Sequence, residues 1–107
     1  MRKIETQMNS AIRSRSSFSS ANTSVVIDDN NAAYVYLHGN HIATIDNDNV
    51  TLFDGGWQSN TTKSRLNAIL HEFTFGDCSV IQRNFTWFLN DRLFNKPVPF
   101  FSGMAVN

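Results

Sequence analysis

Between residues 24 and 54 the chain alternates short runs of β-branched and aromatic residues with clusters of Asn, Asp and Gly. The runs SVVID, AAYVYLH, HIATID and VTLFD have the composition of strands, and the clusters between them have the composition of turns. Connections this short leave consecutive strands no option but to pair antiparallel, as a meander. Asp29-Asn30-Asn31 closes the first hairpin, Gly39-Asn40 the second and Asn47-Asp48 the third. A two-residue turn fixes register, so His38 is expected opposite His41, Leu37 opposite Ile42, Tyr36 opposite Ala43 and Tyr34 opposite Ile45. In the third hairpin Ile45 faces Val50, Ile42 faces Phe53 and His41 faces Asp54. One face then carries Val35, Leu37, Ile42 and Phe53. The other carries Tyr34, Tyr36, His38, His41, Ala43, Ile45, Val50 and Leu52. Both faces hold apolar groups, so both are expected to be partly covered: either the N-terminal helix folds back on the sheet or a second copy covers the exposed patch, and a homo-oligomer is expected.

The flanking segments supply the cover. Ile4, Met8, Ala11 and Ile12 form a narrow helical stripe, which predicts an amphipathic helix over 2–15 with its arginines in water. Ser14 to Ser24 reads as a linker, because Ser and Asn side chains compete for backbone hydrogen bonds. Ser59, Asn60, Thr61 and Thr62 offer N-caps for a helix ending near Phe73, and Leu66, Ile69, Leu70 and Phe73 put its apolar stripe on the sheet. Gly76-Asp77 breaks the chain. CSVIQRNFTWFLND predicts one strand with Phe85, Trp87 and Leu89 on one side and Thr86 and Phe88 on the other. Asn95 to Pro99 is expected to be irregular, and Phe100 and Phe101 to anchor a last edge segment. The fold class is α+β: N-terminal helix, antiparallel meander, one helix packed on the sheet, then C-terminal strands.

With 107 residues, of which 41% are hydrophobic, the chain suits a single domain over 1–107. Residues 1–15 are its helical arm, 16–23 a linker and 24–107 the body. One Cys excludes an internal disulfide, no apolar run is long enough to cross a membrane, and the polar N-terminus does not resemble a signal peptide. A soluble cytosolic protein is expected. Net charge is zero, but the charges are segregated. Residues 1–15 hold Arg2, Lys3, Arg13 and Arg15 against Glu5; residues 16–62 hold five Asp and no Lys or Arg. Residues 63–107 hold five basic groups and three acids. A basic arm beside an acidic sheet suits a phosphate backbone or a second protein.

Catalytic motifs are absent: no P-loop, no G-x-G-x-x-G, no H-E-x-x-H and no C-x-x-C. The expectation is a non-enzymatic protein with no cofactor and no metal. The strongest ligand set is His38 and His41 with Asp54, but zinc wants three or four such ligands with second-shell support, and two histidines across a hairpin end are more often exposed turn residues. Cys78 reads as a small core residue. Thr61, Thr62, Lys63, Ser64 and Arg65 at a helix start make a plausible anion seat, competing with a plain cap and an Arg65–Asp pair. Tyr34 and Tyr36 on one strand face make a stacking platform, with Trp57 and Phe88 as further candidates.

Three stretches carry a resemblance: KIETQMNSAI, the NTSVVI…VYLHGNHIATI…VTL meander, and GGWQSNTTKSRLNAIL. They resemble small proteins of tailed bacteriophages, mostly of unassigned function, over about residues 3–70. The most specific part is Tyr36-Leu37-His38-Gly39-Asn40 with Gly56-Trp57 and Thr61 to Asn67. The resemblance implies a viral protein in the host bacterial cytoplasm, and it carries over no catalytic residue. Two functions then compete. In the first, Arg13, Arg15, Lys63 and Arg65 contact phosphates while Tyr34 and Tyr36 stack on unpaired bases, making a single-stranded-DNA-binding accessory protein. In the second, the acidic sheet occupies a basic surface of a host protein, as an inhibitor, adaptor or nucleic-acid mimic.

Overall fold

The computed structural model describes residues 1–74, 78–91 and 96–106. Helix α1 (Lys3–Ser14) leads into strands β1 (Phe18–Ser20), β2 (Thr23–Ile27), β3 (Ala33–Leu37), β4 (Asn40–Ile45) and β5 (Val50–Leu52). Helix α2 (Asn60–Phe73) follows, then β6 (Cys78–Arg83), β7 (Thr86–Asp91), β8 (Val98–Pro99) and β9 (Met104–Val106). The first sheet has the order β1-β2-β3-β4-β5-β9, and β6-β7-β8 form a second. This is the expected α+β architecture. Both helices lie on one face of the six-stranded sheet, with β6 packed along α2.

The meander forms where its composition places it, and the first and third hairpins turn at the expected residues. Asp28 Oδ1 accepts the backbone N–H of Asn30 and Ala32, and Asp46 Oδ1 accepts those of Asp48 and Asn49. The second hairpin differs. Its central turn residues are His38 and Gly39, with φ of +52° and +77°, so Leu37 pairs with Asn40 and Tyr36 with His41. A bulge then places both Ile42 and Ala43 against the core, and Val35 pairs with Ala43, Tyr34 with Thr44. Ile45 still faces Val50, as expected. The turn and the bulge invert the face of Ala43, Ile45, Val50 and Leu52, which all enter the core, while Phe53 joins the outer side next to His41.

Three further expectations give way. Part of the supposed linker is β1, which pairs Phe18 with Val25 and Ser20 with Thr23. CSVIQRNFTWFLND is a hairpin, not one strand: Asn84 and Phe85 turn at φ +51° and +65°, and Phe85 is 93% exposed. Trp87 and Leu89 are buried as expected. The segment after Pro97 forms two short edge strands; β8 pairs with β7, and β9 returns to β5. Gly76-Asp77 and Asn95 lie outside the described residues.

Polar contacts fix how the helices sit. Ser59 caps α2 by accepting the N–H of Thr62, and Leu66, Ile69 and Leu70 are fully buried. The helices run parallel along a seam of matched turns. Glu5 meets Ser64 and Arg65, Asn9 donates to the Ala68 carbonyl, and Arg13 pairs with Glu72. Asn67 clasps β6, donating to the Val80 carbonyl and accepting its N–H. At the head of the seam the Glu5 carboxylate is buried. Oε1 accepts the Arg2 backbone N–H at 3.2 Å; Oε2 accepts Ser64 Oγ at 2.6 Å and Arg65 Nη1 at 2.7 Å. Arg65 spends its other donors on Thr23 Oγ1 at 3.0 Å and Asn22 Oδ1 at 3.3 Å. Burial pushes the Glu5 carboxyl up, but Ser64, the Arg2 N–H and Arg65 together outweigh it and hold it below the usual range.

Arg65→Met strands a buried carboxylate and is expected to cost about 3–5 kcal/mol in urea unfolding. Glu5→Leu combined with Arg65→Met removes both charges and is expected to recover most of that loss. Equal damage from the single and double changes would show that packing, not charge pairing, holds this corner.

Candidate functional site

Strand alternation divides the large sheet into a buried side and an open side. On β3, Val35 and Leu37 face the helices while Tyr34 and Tyr36 face outward, half-buried among their neighbours. His41 lies between them across the ladder, its ring centroid 5.5 Å from Tyr34 and 5.6 Å from Tyr36. Phe53 closes the row at 4.4 Å from His41. The His38-Gly39 turn, which pairs His41 directly with Tyr36, is what puts His41 there. The result is a continuous aromatic band, Tyr34, Tyr36, His41 and Phe53, with half-exposed Thr44 and Thr51 beside it.

Carboxylates edge the band at the end where the strands turn. Tyr34 is hydrogen-bonded to Asp28, and the charge of Asp28, then that hydrogen bond, with smaller effects that include Asp46, push its phenol above the ordinary value. Backbone N–H bonds from Asn49 and Asp48 hold the Asp46 carboxyl low, with a smaller contribution from nearby Arg15.

Three of the four basic candidates, Arg13, Lys63 and Arg65, lie elsewhere, and the fourth, Arg15, comes near the carboxylate edge at Asp46. Arg13 pairs with Glu72 on the helical layer. Arg15, the left-handed C-cap of α1, donates to the Ile12 carbonyl at 2.6 Å. Lys63 reaches Gln82 on β6 at 3.4 Å. Arg65 is only 3% exposed, with its guanidinium turned inward to Glu5, Thr23 and Asn22. The phosphate contact expected of Arg65 is thus replaced by an internal ion pair, because the second turn of α2 faces α1 and the β1–β2 turn. Tyr34 and Tyr36 come together with His41; Arg13, Lys63 and Arg65 do not join them. The two imidazoles also part, since His41 belongs to the aromatic band and His38 to the β3–β4 turn. Among the described residues no three His, Cys, Asp or Glu side chains group as a metal site.

A second concavity opens at the start of α2. It measures about 450 Å³ and is lined by residues of the β3–β4 turn, of the loop after β5 and of the first turn of α2. The segments that carry the phage resemblance meet here: Leu37, His38 and Asn40 from one, Gly55 and Trp57 from another, Thr61 and Thr62 from the third.

The family model of the Kyanoviridae Gp96 protein matches residues 1–107. The chain belongs to that family. It is therefore a bacteriophage protein, as the resemblance implied, and the match covers the C-terminal residues that the resemblance left out. No curated protein and no solved structure matches it. No helix among the described residues is long and apolar enough to cross a membrane.

Phe53 is the member of the band that the sequence puts on the wrong face, since its side depends on the bulged register, whereas His41 lies beside the tyrosines as expected. Burial pushes the His41 imidazole below its ordinary value of 6.5, and the bond to the Ala43 carbonyl counters this only in part. The unfolded chain therefore takes up this proton first as pH falls, and stability attributable to His41 is full above 6.5 and declines below it. The urea midpoint is expected to drop between about pH 7.5 and 5.5, and His41→Gln to reduce that drop. An identical pH dependence in the variant would mean that His41 is not held neutral by the fold.

Proposed function

We propose that this phage protein is a non-enzymatic adaptor or inhibitor that docks the open aromatic face of its sheet onto a basic surface of a host protein. The observation that carries this reading is the separation of the aromatic band from three of the four candidate basic groups, with Arg15 alone of the four near its carboxylate edge. Tyr34, Tyr36, His41 and Phe53 occupy one side of the sheet, and residues 16–62, which supply that band, contain five Asp and no Lys or Arg. A single-strand-binding surface needs cations beside its stacking rings, because phosphates accompany every base. Here Asp28 and Asp46 sit beside the rings, while Arg13 and Lys63 engage partners on the helical layer. Aromatic rings flanked by carboxylates suit the centre and rim of a protein interface, with the acids steering a cationic partner. Such a partner would be met in the host cytoplasm.

Labelled single-stranded DNA, titrated at low and at physiological salt, is expected to show no binding. Immobilised protein is expected to retain a host protein in a salt-sensitive manner. Tyr34→Ala with Tyr36→Ala should abolish retention, and Asp28→Asn with Asp46→Asn should weaken it while keeping the turn-closing acceptors. DNA binding at low salt that the tyrosine changes remove would restore the nucleic-acid reading. Retention indifferent to all four changes would place the docking surface elsewhere. A dimer in light scattering that the tyrosine changes dissolve would assign the face to a second copy of the chain.

A further inference from the structure

The concavity at the start of α2 is unused by the sheet-face reading and stands independently of it. We propose that it binds a neutral sugar ring, stacked on Trp57 and hydrogen-bonded by Asp54, Asn40 and His38. The two tryptophans of the chain have opposite environments. Trp87 is 2% exposed in the core, whereas Trp57 is 75% exposed at the mouth of the concavity. No hydrogen bond or ring contact within the described residues occupies the Trp57 indole, so its face is free to stack on a ligand.

The walls suit a ligand with one apolar face and a polar edge. Leu37 and Ile42 form a buried floor. Gly55 keeps the floor tight, because its φ is +71° and an added Cβ would lie 3.1 Å from Asn40 Cβ and 3.2 Å from Ile42 Cγ2. Asp54 is held in place by the Gly56 N–H at 2.8 Å and Gln58 Nε2 at 3.3 Å, and each carboxylate oxygen keeps a lone pair for a ligand. The side chains of His38 and Asn40 have no hydrogen-bond partner within the described residues. The set therefore offers acceptors and donors together, as a ring of hydroxyls requires.

Charge and shape narrow the ligand. No Lys or Arg lines the concavity, and Asp54 does, so a phosphate or carboxylate group is disfavoured. A nucleobase has two apolar faces and stacks best between two rings; here a single indole faces polar side chains. A sugar ring lays its C–H face on one aromatic ring and turns its hydroxyls to the other groups. The volume, about 450 Å³, holds one or two such rings.

The full chain is titrated with methyl glucoside, methyl galactoside, N-acetylglucosamine and maltose up to roughly 10 mM, with guanosine and uridine as comparators. The acrylamide-accessible part of the emission is followed, since the quencher reaches the exposed Trp57 and not the buried Trp87. At least one sugar is expected to shift that emission to the blue and to protect it from acrylamide quenching, with the nucleosides inert. Trp57→Ala should abolish binding in calorimetry without moving the urea midpoint, and Asp54→Asn should weaken it about tenfold. No response to any of the four sugars overturns the proposal. So does sugar binding that survives Trp57→Ala, or a nucleoside that binds more tightly than every sugar.

Discussion

A carboxylate and a guanidinium are buried together where three elements meet, and the placement of everything around them follows from the need to satisfy both. Glu5 and Arg65 lose the hydration that would make either group cheap to hold, so the pair is tolerable only if its remaining donors and acceptors are filled. They are filled from α1 by the Arg2 N–H, from α2 by Ser64, and from the β1–β2 turn by Asn22 and Thr23. That set admits one arrangement: α1 alongside α2 in parallel, both against the same side of the sheet. Asn22 extends the constraint, since its carbonyl accepts the His38 N–H at 2.7 Å and ties the β1–β2 turn to the β3–β4 turn. A purely apolar corner would permit sliding along the seam; hydrogen bonds with fixed directions do not.

How much of this could be seen in the sequence depends on whether the signal is local. The meander was legible because β-branched and aromatic runs carry their own preference, and α2 because Ser59 and the stripe Leu66, Ile69, Leu70 and Phe73 lie within one segment. Strands β1 and β9 were not legible. Phe18-Ser19-Ser20 has weak strand preference and is extended because β2 offers it a ladder; Met104–Val106 is extended because β5, far back in the chain, leaves an unpaired edge. Arg65 was misplaced for the same reason. Its neighbours in sequence describe a helix start suited to an anion, whereas its partner, Glu5, lies at the other end of the chain's helical content.

The open face is a more instructive mixture. Tyr34 and Tyr36 were assigned correctly to a common side because alternation along β3 does not depend on what β4 does. Of the residues expected beside them on β4 only His41 was, since moving the turn by one residue, from Gly39-Asn40 to His38-Gly39, and adding a bulge at Ile42-Ala43 alter every β3–β4 pair. A strict two-residue turn at Gly39-Asn40 would have left Ile45, Val50 and Leu52 beside the tyrosines. The bulge instead sends them into the core, so the band keeps its rings, the hydroxyls of Thr44 and Thr51 and the half-exposed Val26 beside its carboxylates. The irregularity thus does two jobs. It completes the apolar core, and it leaves an outer surface polar enough to stay in water yet rich in rings.

Charge segregation gains its meaning at this level. In the linear sequence a basic arm precedes an acidic stretch, which suggests two opposed patches of similar strength. Folding treats them unequally. On the helical side Arg13 takes Glu72 and Arg65 takes Glu5, so these two cations are matched by carboxylates of the same layer. On the strand side Asp28 and Asp46 are matched mainly by backbone N–H groups, which orient the carboxylates without cancelling their full charge. In a chain with no net charge the asymmetry thus arises from which carboxylates pair directly with an arginine and which are held mainly by amides, Arg15 reaching Asp46 only as a nearby charge.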